Sequence, residues 1–338
     1  MSGIDGIRAI AAFLVVFYHY GFQWCPGGLG VLVFFVLSGF LITWLLLKEE
    51  SRFGKISLKL FYIRRSLRIF PAFYAFWFLW IGTLVLLSKK FNVPQAITSF
   101  FYVNNYYQAI YGDPNTGLSH TWSLGIEEQF YLVWPLVFLL LKRDRTRIWF
   151  LSWAIVAVWL YRGFLVLVLQ RHQGYIYEAF ETRADHLLIG CLLALVLRRE
   201  MLGWLWRRVC SSALLAWATV GLLVLSTIIA NLATWRYRDT IGFAVDPVLV
   251  AVLIPQCIAA GGKGFGAIVN WRWVRYLGTI SYSVYLYQQI VIGIVGKLTV
   301  PWPWLSLPVA VLSVIAAASA SYWIIETPFL KLKKRFAA

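Results

Sequence analysis

Two short stretches of this 338-residue chain put reactive side chains where they are expensive to keep. HTWSLGIEEQFYLVWP, residues 120–135, opens an apolar run with His120, Glu127, Glu128 and Gln129. Ionisable groups in a spanning segment mark a functional site by default, because lipid does not solvate them. Nearer the start, IRAIAAFLVVFYH carries Arg8 and His19 eleven residues apart. At about 100° per residue this spacing returns to nearly the same helix face, roughly 16 Å along the axis. Imidazole titrates near neutral pH and is well suited to deprotonate a hydroxyl. A hydrogen-bonded histidine packing two helices explains His19 equally well. For the glutamates the alternative is a first-turn interaction with the helix dipole, with Ser123 as N-cap. That alternative leaves His120 and Gln129 unexplained.

Other polar residues join them. In RRSLRIFP, Arg65 and Arg68 share a helix face. They read either as ordinary cytoplasmic flanking charge or as a clamp for phosphates, which guanidinium groups grip in bidentate fashion. ETRADHLLIG brings Glu181, Arg183, Asp185 and His186 to the outer start of a later span, where an Arg–carboxylate pair has a structural explanation. Ser281, Tyr285 and Gln288 recur at i, i+4, i+7, a pattern that a helix-packing contact explains. Glu326, in IIETP, falls at the cytoplasmic end of the last span and reads as a neutralising partner for an arginine. Asp5, one turn before Arg8, is a further candidate partner.

The elements that must hold these residues are membrane helices. Only 13% of the chain is charged, 61% is hydrophobic and mean hydropathy is +0.72, against about 25% charged residues in soluble domains. The fold class is therefore an all-α polytopic transmembrane bundle. Apolar stretches long enough to cross roughly 30 Å of hydrocarbon fall near 7–23, 29–47, 69–88, 124–141, 148–169, 184–198, 211–231, 243–260, 276–296 and 305–326. These make about ten spans, with an eleventh if the more polar 95–111 crosses; its asparagines favour a re-entrant or interfacial piece. With the N-terminus inside, most of the 31 Lys and Arg residues, Lys263 and Arg207 among them, fall in alternate loops on one face. Both termini are then cytoplasmic. A net charge of +17 invites a nucleic-acid reading, but so much apolar sequence rules out a soluble basic groove. Cys25, Cys191, Cys210 and Cys257 form no CxxC pair, so neither a disulfide framework nor a metal site is expected. The first helix reads as retained rather than as a signal peptide. A single membrane domain fills residues 1–338.

The chain resembles the acyltransferase-3 family of integral membrane acyltransferases. The matching pieces are GIRAIAAFLVVFYH, FFVLSGFLI (34–42), RRSLRIFP (64–71), SLGIEEQFYLVWP (123–135), TRADHLLIGCLLA (182–194), LGTISYSVYLY (277–287) and IIETPF (324–329), in the family's order. The resemblance implies transfer of an acyl group, commonly acetyl, from coenzyme A at the cytoplasmic membrane, with acyl-CoA as co-substrate and no resident cofactor. Implied acceptors are hydroxyls of envelope glycans, lipopolysaccharide, peptidoglycan or glycolipids, and macrolides in some members. Family roles map onto Arg8 and His19, and onto Arg65 and Arg68. The family often has a histidine where this chain has Gln288, so proton transfer there is not expected. The C-terminal hydrolase-like domain of some members has no counterpart, and a second transfer step within this polypeptide is not expected.

These readings meet in a two-sided scheme. Arg8, Arg65 and Arg68 hold the phosphates of acyl-CoA on the cytoplasmic side, opposite Glu127, Glu128, His120, Arg183 and Asp185 on the acceptor side. His19 acts between them as general base, with Glu127 or Glu128 orienting its ring; at most one glutamate faces the cavity. An acyl-histidine relay is the competing chemistry. From other classes, a transporter or flippase uses the same residue types, and a purely structural membrane protein would need them only for packing.

Overall fold

The computed structural model describes residues 3–199, 201, 203–259, 265–298 and 303–336. Lys263, placed in a cytoplasmic loop from sequence, lies outside them, as do the terminal residues and the Arg207 side chain. The described residues are 86% helical with no strand, which makes the chain all-α.

In chain order the helices are α1 (Ile4–Tyr20), α2 (Gly27–Phe53), α3 (Leu58–Leu86), α4 (Val93–Phe100), α5 (Asn104–Tyr111), α6 (Thr121–Leu140), α7 (Asp144–Leu167), α8 (Gln173–Glu178) and α9 (Phe180–Arg198). Then follow α10 (Gly203–Ser211), α11 (Ala213–Leu232), α12 (Trp235–Tyr237) and α13 (Phe243–Ala259). The series ends with α14 (Phe265–Asn270), α15 (Arg272–Thr279), α16 (Ser281–Leu298), α17 (Pro303–Ser321) and α18 (Thr327–Lys333). A π-helical turn, Arg238–Gly242, leads into α13, and another, Tyr322–Glu326, joins α17 to α18.

Each of the ten predicted apolar stretches contains a helix, and among the described residues seven helices are long and apolar enough to cross a membrane. The predicted spans outside those seven are α1, with only 17 residues, α9, which carries Glu181, Arg183 and Asp185, and α16, which carries the Ser–Tyr–Gln stripe. Length sets α1 apart, and polar or charged residues set α9 and α16 apart, whereas α3, with Arg65 and Arg68, and α6, with Glu127 and Glu128, are among the seven. Residues 95–111 form α4 and α5, eight residues each and far too short to span. Several of their polar groups are paired inside the protein. Asn92 caps α4 by accepting from Gln95 N at 2.8 Å. Asn104 donates to Thr121 Oγ1 at 2.8 Å and Gln108 donates to Ser119 O at 2.9 Å. Backbone that is not a spanning helix is tolerated at such a place when it is buried against protein.

Ion pairs tie several helix ends together. Arg64 of α3 pairs with Glu49 of α2 and donates to Phe336 O near the C-terminus. Arg147 of α7 grips Glu50 of α2 at 2.8 Å and Asp144 at 2.9 Å, while Arg199 after α9 reaches Asp144 at 2.9 Å. The end of α2, the starts of α3 and α7 and the end of α9 therefore share one face of the bundle, as the alternating basic loops require.

The tightest helix pairing is α2 with α9. Gly39 lies against the Leu187 backbone and Gly190 against the Val36 carbonyl, so a Cβ at either would collide with main chain. In lipid, helices associate through close van der Waals packing, and small residues permit that approach. Gly39→Val should force α2 and α9 apart, with a stability loss of about 1–3 kcal/mol. A lowered melting temperature of the purified chain in detergent checks this; an unchanged melt would refute the close-packing account.

Candidate functional site

An inner cavity lies between α1, α2, α3, α6 and α16. Arg8 reaches it from α1, Arg65 and Arg68 from α3, Glu127, Glu128 and Tyr131 from α6, and Glu326 from the second π turn. Ser38 donates to Glu127 at 2.8 Å, and Tyr131 donates to the other oxygen of the same carboxylate at 3.3 Å. The Arg65 guanidinium lies 3.7 Å from the centre of the Tyr131 ring, a cation–π contact strengthened by desolvation. Glu326 accepts from Ser283 at 2.6 Å; π turns of this kind often re-aim side chains at functional sites. Arg8 Nε and Arg65 Nε are buried with no hydrogen-bond partner. Three cations and three carboxyl groups thus share a pocket in which guanidinium hydrogen-bonding capacity is left over.

This arrangement corrects the expected position of the glutamates. Sequence placed Glu127 and Glu128 at the outer end, opposite the arginines and beside His19, with one at most facing a cavity. Both line the arginine cavity. The reason is the helix start. Thr121 opens α6 and His120 is its N-cap, which sets Glu127 about 9 Å along the axis at 1.5 Å per residue. At that depth a carboxylate needs cationic or hydrogen-bonding company. Ser123 is accordingly not the N-cap.

His19 lies elsewhere, where two outer cavities meet. One, of about 500 Å³, is lined mainly by α3, the α3–α4 loop and α16; the other, of about 380 Å³, by α1, α8 and the loop before α6. His19 and Gln289 line both. Gln288 faces the His19 ring, while His19 Nδ1 and both ends of the Gln288 amide are left unpaired by protein groups. Asp113 shares the smaller cavity with His19, whereas neither Glu127 nor Glu128 lines either outer cavity. Asp113 is held by Ser119 Oγ at 2.5 Å and Asn115 N at 2.9 Å. Beside it, His120 Nδ1 contacts Gln289 Oε1 at 2.9 Å.

A thin partition separates the arginine cavity from the smaller outer one. Val31 and Tyr285 line both. The Tyr285 hydroxyl donates to His120 O at 3.0 Å, which leaves its oxygen to accept from Ser123 Oγ at 2.5 Å. The stripe on α16 that sequence explained as packing therefore runs from Ser281 in the inner cavity, through Tyr285 in the partition, to Gln288 at His19.

Arg183 and Asp185 line none of these cavities. Asp185 is fully buried and pairs with Arg162 of α7 at 2.9 Å, with Trp159 donating at 3.0 Å. Arg183 has no hydrogen-bond partner for any of its three nitrogens and sits among rings, 3.8 Å from the centre of Phe243 and 4.9 Å from that of Tyr177. His186 Nε2 donates to Phe243 O at 3.1 Å. This cluster braces the wall of the smaller outer cavity without entering it. Arg162, Asp113, Ser38 and Tyr131 were missed from sequence. Tyr131 was within reach, since it follows Glu127 by four residues on α6, but nothing local marks Asp113 in its loop.

Comparison with known proteins adds three findings. A family model described as an acyltransferase domain, that of the acyltransferase-3 family, matches residues 1–326. The chain is 32% identical to the peptidoglycan O-acetyltransferase OatA of Listeria monocytogenes over 98% of its own length and 56% of that protein's. It is 33% identical to YrhL of Bacillus subtilis, provisionally named a peptidoglycan O-acetyltransferase, over 97% of this chain and 54% of that one. The chain thus spans about half the length of the curated relatives it matches. No solved structure matches it.

Removing the partner of a buried arginine leaves an uncompensated charge, at a cost of about 3–5 kcal/mol. Asp185→Ala should therefore reduce folded yield and melting temperature severely, whereas Gln288→Ala should leave both near wild type. Equal melts for the two variants would show that the Arg162–Asp185 pair does not hold α7 to α9.

Proposed function

Because the chain belongs to the acyltransferase-3 family, we propose that it is a membrane O-acyltransferase. It moves an acyl group, in the first instance acetyl, from acyl-CoA to a hydroxyl of a cell-envelope glycan. The observation that carries this reading is His19, unpaired at Nδ1 and open to both outer cavities, one partition away from a pocket of three arginines. The relatives' designations, O-acetylation of peptidoglycan among them, support a glycan acceptor.

In this reading the arginine pocket is the donor side. Arg8, Arg65 and Arg68 attract the phosphates of coenzyme A from the cytoplasm, and the unpaired Nε–H groups of Arg8 and Arg65 donate charge-assisted bonds to phosphate oxygens. Glu127 and Glu128 keep the pocket near neutral and hold the guanidinium groups in place while no donor is bound. The pantetheine arm carries the thioester past Tyr285 towards His19. The imidazole then takes the proton of the acceptor hydroxyl as the oxygen attacks the thioester carbonyl. Collapse of the tetrahedral intermediate breaks the C–S bond, and the thiolate recovers the proton from the imidazolium. Asp113, fixed by Ser119 and Asn115, stabilises the charged ring. Gln288 orients it by hydrogen bonding and need not titrate.

A general base of this kind contributes about 10²–10⁴-fold. With the full chain in nanodiscs, labelled acetyl-CoA and a peptidoglycan-derived acceptor, His19→Gln should lower kcat by that factor at an unchanged melting temperature. Arg68→Ala should act chiefly on the KM for acetyl-CoA. Retained transfer by His19→Gln would sink the catalytic assignment. Movement of glycan across the bilayer without thioester consumption would point to a transporter instead.

A further inference from the structure

The two outer cavities differ in chemistry. The larger combines apolar side chains, Trp80, Leu84 and Ile290 among them, with amides, a hydroxyl and two lysines, and has no carboxyl group in its lining. The smaller presents two rings, Trp122 and Tyr177, together with the carboxyl groups of Asp113 and Glu178. We infer that this cavity is a saccharide subsite, in which a sugar ring lies against Tyr177 and Trp122 and is hydrogen-bonded by Glu178, with one hydroxyl at His19.

Three observations carry the inference. First, Glu178 is only 8% exposed yet its carboxyl makes no hydrogen bond with any described residue. Its oxygens are not among the buried atoms left without a partner, so they keep open surface on the cavity they line and are free to bond with whatever enters it. Burial, with Asp113 adding to it, pushes this carboxyl up to about 8. It therefore holds its proton at neutral pH and can both donate to and accept from sugar hydroxyls. Second, the two rings meet at 5.1 Å between centres and are braced from behind by the Arg183 guanidinium, 4.9 Å from Tyr177 and 5.9 Å from Trp122. A rigid aromatic wall suits the C–H face of a pyranose and loses little side-chain entropy on binding. This gives Arg183, an ion with no counter-ion contact and no place in the reaction, a positioning role. Third, the opening of about 380 Å³ falls at the small end of ligand pockets, enough for a single ring.

The inference takes its purpose from the acyl-transfer reading, but its test needs no donor. A missing transferase activity and a missing saccharide site are thus separate results. Binding of chitotriose, an uncharged N-acetylglucosamine trimer, is measured by saturation-transfer NMR on the full chain in nanodiscs, at folded concentrations matched by thermal melt. Wild-type protein should bind it, and Tyr177→Leu and Glu178→Ala should each weaken binding at least about tenfold, or 1.4 kcal/mol. Glu178→Gln, which keeps both donor and acceptor, should restore most of the affinity. No binding by wild type, or unchanged binding in both disruptive variants, overturns the subsite.

Discussion

The cost of charge in hydrocarbon governs this molecule. Arg8, Arg65, Arg68, Glu127, Glu128 and Glu326 all belong to helices of a bundle that lipid surrounds, and each would be prohibitively unstable facing outward. Turned inward they collect in one cavity, where opposite charges offset one another and Ser38, Ser283 and Tyr131 supply the remaining hydrogen bonds. The compensation is incomplete, since buried guanidinium nitrogens stay unpaired. Complete pairing would give a more stable protein with nothing to offer an anionic ligand.

The same constraint explains the second buried ion cluster and why it differs. Arg162 and Asp185 pair directly, with Trp159 and the Thr182 carbonyl as further partners, and the pair acts as a strut between α7 and α9, although Arg162 Nε and Nη2 find no partner among the described residues. Arg183, two residues from Asp185, is solvated by aromatic faces instead. Rings around a guanidinium substitute for water through their quadrupoles, and in doing so they are themselves held still. Polar machinery and aromatic scaffold are therefore one assembly. It rests on the close α2–α9 contact made possible by Gly39 and Gly190.

Much of this was legible in the chain as written. Hydropathy located a helix in each of the ten apolar stretches, and the basic loops anticipated that the ends of α2 and α9 and the starts of α3 and α7 lie together. The polar nature of 95–111 already argued against a span, and α4 and α5 are too short to make one. Arg8 and His19 stand on one helix because their spacing and the helical repeat leave little choice. The motifs that carry the family resemblance agree with the match over residues 1–326.

Partnership between helices was not legible. Periodicity says which residues share a face, not what that face meets, and charge counting says which loops lie together, not how deep a side chain sits. The buried contacts of Asn104 and Gln108 with the loop before α6 fix its start at Thr121, and packing of α6 against α2 puts Glu127 beside the arginines rather than at the expected outer rim. The same packing brought Asp113 to His19 from a loop with no local signal, and turned Tyr285 from a packing residue into the wall between two cavities. Sequence determined the helices and the inventory of reactive groups, because both follow from local pattern and the energetics of lipid. Only the tertiary structure decided which groups meet, because that depends on close approach between helices far apart in the chain.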